Sequence, residues 1–216
     1  ISNFTTFSPC NGMRKVSRIW HEDSGSISHT TGNGMIQIEG IDWHISWRDE
    51  AQWEYTLSVL AHLFRFYPMA FNAARAKAMA LRAQFQAIDP FLQKQTMHVC
   101  PHCSSVCCID RHSSFDLYDL LYIFCLDMPI PTYATDRAET DPCQFLTTNG
   151  CCMPRHARPF RCTWHFCDTL IAHFQTIPAK AVRQYHDMFR NLQETRYELL
   201  QLIEQALLHI KSTSSP

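Results

Sequence analysis

The chain has 216 residues, 46% of them hydrophobic, a formal net charge of -1 and eleven cysteines. That length and apolar content can bury a core without cross-links, which argues against a small disulfide scaffold, and the near-zero charge gives no global attraction to nucleic acid or to anionic membrane. No apolar run reaches the roughly 18 residues of a spanning helix and no charged stretch leads into an apolar leader, so the expectation is a soluble, cytoplasmic protein with neither nucleic acid nor membrane as partner.

Residues 1–34 are expected to form a flexible N-terminal extension, because S-G-S-I-S-H-T-T-G-N-G at 24–34 is small, polar and without periodicity. A single helical domain is expected over 35–211, with a cysteine-rich core at 100–167. Apolar and polar residues alternate over 35–47 on both sides of Glu39-Gly40, which predicts a short β-hairpin. A helix follows over about 49–66, with Trp53, Leu57, Leu60, Ala61 and Phe64 on one face and Asp49 and Glu50 at its positive end. Pro68 suits the first turn of a second helix, in which Phe71, Ala74, Ala78, Leu81, Phe85 and Ile88 recur at spacings of three and four. This pattern is expected to stop at Asp89-Pro90.

Ser113 is placed to cap a third helix, with Asp116 three residues on and Leu117, Leu120, Leu121 and Phe124 as its buried stripe. Cys125 lies on that helix among bulky apolar residues and reads as packing, outside any site. Pro129, Pro131 and Pro142 mark 127–142 as irregular. The last helix spans about 178–210, with Val182, Tyr185, Phe189, Leu192, Leu199, Ile203, Ala206 and Ile210 in register and Arg196 as the polar occupant. Its seam suits a dimer zipper or, the favoured reading, an antiparallel pair with the 71–88 seam inside one molecule. Monomer and helix-mediated dimer thus both stand at this point, within a mainly α fold.

Ten of the eleven cysteines fall in 100–167, which opens with C-P-H-C-S-S-V-C-C and closes with C-C-M-P-R-H-A-R-P-F-R-C-T-W-H-F-C. Neighbouring C-x-x-C and C-C cysteines are strained as disulfide partners, whereas soft thiolates select zinc, copper(I) or iron-sulfur clusters. Cys100 and Cys103 fit a turn that directs two sulfurs at one ion. The adjacent Cys107 and Cys108 imply either two centres or one ligand beside one passenger. Cys152, Cys162 and Cys167 are spaced too widely for a zinc ribbon, and Asn149-Gly150 predicts a turn that brings the chain back from Cys143. Four thiolates on zinc(II) or on an oxidised four-iron cluster leave a charge of about -2, which buried surroundings must offset. Arg111, Arg155, Arg158 and Arg161 are close enough in sequence to donate N–H bonds there, and His102, His112, His156 and His165 are alternative ligands or donors. A Cys162–His165 nucleophile ranks low, because nothing in the sequence supplies an oxyanion hole or an orienting acid.

The order C-x2-C-x3-C-C, then C-Q-F-L, then N-G-C-C-M-P-R-H-A-R-P-F-R-C-T-W-H-F-C resembles the YkgJ-type cysteine-cluster family, described as zinc- or iron-chelating domains. The resemblance covers about 100–167. It implies metal ligands at Cys100, Cys103, Cys107, Cys108, Cys143, Cys152, Cys162 and Cys167, with Arg158-Pro159 matching the family's R-P step and Cys151 an alternative to its neighbour Cys152. Gln144 stands where the family has proline, Met153-Pro154-Arg155 departs from its usual Ile-Tyr, and Thr163 stands where arginine is common. The implied function is metal binding, of zinc or an iron-sulfur (4Fe-4S) cluster. A more distant similarity to the cysteine-rich region of flagellin lysine N-methylases adds a runner-up, a metal-dependent enzyme acting on a protein or peptide. No glycine-rich nucleotide loop accompanies it, and catalytic residues are unassigned.

Overall fold

The computed structural model describes residues 13–14, 45, 48–103, 106–132, 134, 136–148 and 150–214. The hairpin expected over 35–47 lies outside these residues, apart from a buried Ile45, and so does the 1–34 extension, apart from strand β1 (Met13–Arg14). Helix α1 (Glu50–Phe66) starts where the Asp49 carboxylate accepts the Gln52 N–H at 3.0 Å, a side-chain cap on an otherwise orphaned donor. Its face of Trp53, Leu57, Leu60, Ala61 and Phe64 is buried as the periodicity requires.

A 3-10 turn (Pro68–Phe71) leads into α2 (Asn72–Val99), which runs well past the expected stop at Asp89-Pro90. Proline in a helix interior removes one N–H bond and costs about 3 kcal/mol relative to alanine. Packing on both sides of Pro90 outweighs that cost. Phe91 stacks on Tyr185 with centroids 5.2 Å apart, Leu92, Gln95 and Val99 continue the buried face, and Asp89 is held by Arg155.

Helix α3 (Leu117–Cys125) begins later than expected. Asp116, rather than Ser113, is the cap: its carboxylate accepts the Asp119 N–H at 2.7 Å, and the Asp119 carboxylate accepts the Asp116 N–H in return. The Ser113 hydroxyl instead donates to the Asp110 carbonyl. Leu117, Leu120, Leu121, Phe124 and Cys125 are all buried. Strand β2 (Ile130–Pro131) pairs antiparallel with β1, and β3 (Leu146–Thr147) pairs antiparallel with β4 (Gly150–Cys151). Two short helices follow, α4 (Arg161–Trp164) and α5 (Asp168–Phe174).

The chain closes with α6 (Ala179–Ser214), laid antiparallel along α2. Lys77 meets Glu198 at 2.6 Å, Gln84 donates to Thr195, and Phe91 stacks on Tyr185, so the register of one helix falls as that of the other rises. The α6 seam of Leu192, Leu199 and Ile203 is therefore filled from within the molecule. Arg196 interrupts it by lying over the Phe160 ring, 4.3 Å from its centroid. The fold is mainly α, and among the described residues no helix is long and apolar enough to cross a membrane.

Candidate functional site

The C-terminal end of α2, the loop after it, the β3–β4 hairpin and the segment through α4 to the start of α5 enclose an open cavity of about 510 Å³. Each wall is fixed by backbone bonds that the local sequence dictates. Cys100 follows the last residue of α2, and the Cys103 N–H donates to its carbonyl, closing the C-x-x-C turn. Cys108 is sewn to Cys143, whose N–H donates to the Cys108 carbonyl at 2.8 Å beside the Ile109–Pro142 bridge. Asp110 is the clasp. It is almost fully buried, and its carboxylate accepts the Gln144 N–H at 3.0 Å and Arg137 Nε at 2.7 Å.

In the β3–β4 hairpin Gly150 has φ +96°, a conformation that disfavours any residue with a Cβ. Leu146 faces Cys151 across the ladder, and the Cys152 N–H donates to the Phe145 carbonyl. Arg155 is buried behind the next wall and donates to both Asp89 and the Cys162 carbonyl.

Seven of the eight expected ligands, Cys100, Cys103, Cys107, Cys108, Cys143, Cys162 and Cys167, line this cavity and are free thiols. Cys152 does not line it and is disulfide-bonded. Cys151, also a free thiol, takes its place on the wall. Neighbouring residues of an extended strand point to opposite faces, and β4 turns the first cysteine of the pair inward. Nothing in the local sequence marks Asp110, whose role depends on a loop contact distant in the chain.

The thiols fall into two neighbourhoods. Burial, then the nearby Cys107, Cys167 and Cys103, push the Cys100 thiol up, and a hydrogen bond with Cys108, followed by burial, pushes up Cys107. On the other side, burial raises Cys143 despite a bond from the Ser113 side chain, and burial with Cys151 beside it raises Cys162 to about 12. Among the described residues, no three His, Cys, Asp or Glu side chains already stand in coordinating geometry.

Arg155, Arg158 and Arg161 also line the cavity, and Arg158 Nε donates to the Met153 carbonyl at 2.8 Å. Arg111, His102 and His156 are not on its wall, whereas His112 and His165 are. Leu92, Val99, Leu146 and Leu170 supply apolar surface. Comparison with protein-family models, with curated proteins and with solved structures found no match.

Proposed function

We propose that this is a metal-binding protein that holds zinc or an iron-sulfur cluster through the cysteines of one cavity. The observation that carries the reading is the convergence of eight free thiols, from the end of α2, two loops, the hairpin, α4 and the start of α5, on a single space. Buried thiols with no such role are ordinarily inert packing, as Cys125 is, and do not gather from distant segments. The donor set suits a soft metal, and the arginines on the wall offset the negative charge that metal-bound thiolates would carry. The ligands are Cys100, Cys103, Cys107, Cys108, Cys143, Cys162 and Cys167, with Cys151 in place of Cys152. The resemblance to YkgJ-type domains supports the same reading.

Anaerobic purification followed by metal analysis tests this. A brown protein containing iron and sulfide identifies a cluster, and a colourless one with about one or two zinc ions per chain identifies zinc. Cys107→Ser and Cys108→Ser variants should lose metal. A wild-type protein that holds neither metal after reconstitution would end the proposal.

A second reading, a metal-dependent enzyme acting on a protein or peptide, is favoured by the size of the cavity. About 510 Å³ is far more than an ion needs and falls in the range of about 300–1,000 Å³ typical of ligand pockets. Peptide binding that depends on the loaded metal separates this from a purely structural centre.

A further inference from the structure

The cavity wall carries two imidazoles besides its thiols, His112 and His165. His112 is the better constrained. Its Nδ1 lies 3.0 Å from the Cys107 carbonyl oxygen. A carbonyl only accepts, so Nδ1 carries a proton, and in the neutral ring that leaves Nε2 with the free lone pair. Metal-binding histidines almost always donate one ring N–H to a carboxylate, a backbone carbonyl or water while the other nitrogen meets the metal. The 3-10 turn Asp110–His112 fixes the backbone, Asp110 anchors that turn in the loop, and the His165 ring packs 4.6 Å from the His112 ring at a tilt of 55°. Few rotations remain open to the imidazole.

We propose that His112 Nε2 is a nitrogen ligand to zinc held by thiolates of this cavity, so that the protein builds a mixed cysteine–histidine centre. The inference rests on the metal-binding reading above. Coordination replaces no proton on His112, because Nε2 is already unprotonated in this tautomer, whereas each thiol that binds releases one.

The test is side-chain nitrogen NMR of the full chain during titration with zinc, alongside the cysteine Cβ resonances. The expected result is that cysteine Cβ signals shift and His112 Nε2 moves to a metal-bound position. If the cysteine signals shift while His112 Nε2 stays where it was, the histidine proposal falls and the metal-binding reading stands. If neither set moves, zinc does not bind, the histidine proposal falls, and the metal-binding reading is left to the iron-sulfur cluster alone. His112→Asn identifies the resonance and tests the role, since its amide can keep the donation to the Cys107 carbonyl while offering no counterpart of Nε2. Its zinc affinity should drop by more than about tenfold, the lower end of what losing even an outer-shell partner costs. Wild-type affinity in His112→Asn, or a bound nitrogen that disappears only in His165→Asn, would overturn the assignment.

Discussion

Arg155 joins the two halves of the molecule: its Nε donates to the Asp89 carboxylate at 3.0 Å on α2, and its Nη1 to the Cys162 carbonyl at 2.9 Å on the cavity wall. Burial, then the charge of Arg158, hold its pKa below the usual arginine range, and the bond to Asp89 works against them. One guanidinium therefore holds a cysteine-bearing loop against the middle of a long helix. Removing one member of a buried ion pair costs about 3–5 kcal/mol, because the other is left uncompensated. Asp89 keeps 36% of its side-chain surface, so Arg155→Ala should lose about 3 kcal/mol, at the lower end of that range. Urea denaturation measures it. Arg155→Lys should recover only part, since an ammonium lacks the planar fork that reaches two acceptors in different directions.

Cys151 and Cys152 make a discriminating pair. Cys151 lies on the cavity wall across from Leu146, while Cys152 lies off it. Under the metal-binding proposal, Cys151→Ser should lower metal affinity by more than about tenfold, and Cys152→Ser should leave metal content unchanged. Metal analysis of both variants at equal protein concentration decides it, and the opposite result would move the ligand to Cys152.

The helices were legible because their apolar spacing is local: Phe71 to Ile88 and Tyr185 to Ile210 announce complementary seams. Where α2 ends was not, because Pro90 is overruled by contacts with Tyr185 and Arg155, more than sixty residues away in sequence. The start of α3 was misplaced between two competing caps, Ser113 and Asp116, and the reciprocal bond with Asp119 selects the latter. Most of the cavity's thiols could be named from spacing and resemblance. Choosing between Cys151 and Cys152 needed the direction of β4, which spacing does not encode.

Asp119 should give folding a pH dependence. Burial, then the charge of Asp116, push its carboxyl up to about 8, against the pull of Arg196 and of the Phe160 and Asp116 N–H groups. In the unfolded chain the same group releases its proton near pH 4. Between these values the folded state holds a proton that the unfolded state does not, so stability is greatest at the acid end and falls as pH rises through about 8. Asp119→Asn removes the titration and keeps an acceptor for the Phe160 N–H. Denaturation at about pH 5 and about pH 9 should show a smaller difference for the variant than for the wild type. Equal differences would mean that Asp119 is ionised throughout.

Pro90 gives the sharpest test of how α2 is held together. If contacts on either side carry the helix through this position, the ring is a cost that the helix tolerates. Pro90→Ala should then restore an N–H bond to the Gln86 carbonyl and recover most of the roughly 3 kcal/mol by which alanine exceeds proline in a helix interior. The greater freedom that alanine gives the unfolded chain returns about 0.4–1 kcal/mol of this. A net gain of about 2 kcal/mol is expected, read as a higher urea midpoint with an unchanged slope. A loss of stability would mean that α2 needs the ring to reach Cys100, and that the packing of Phe91 on Tyr185 follows from the proline rather than overriding it.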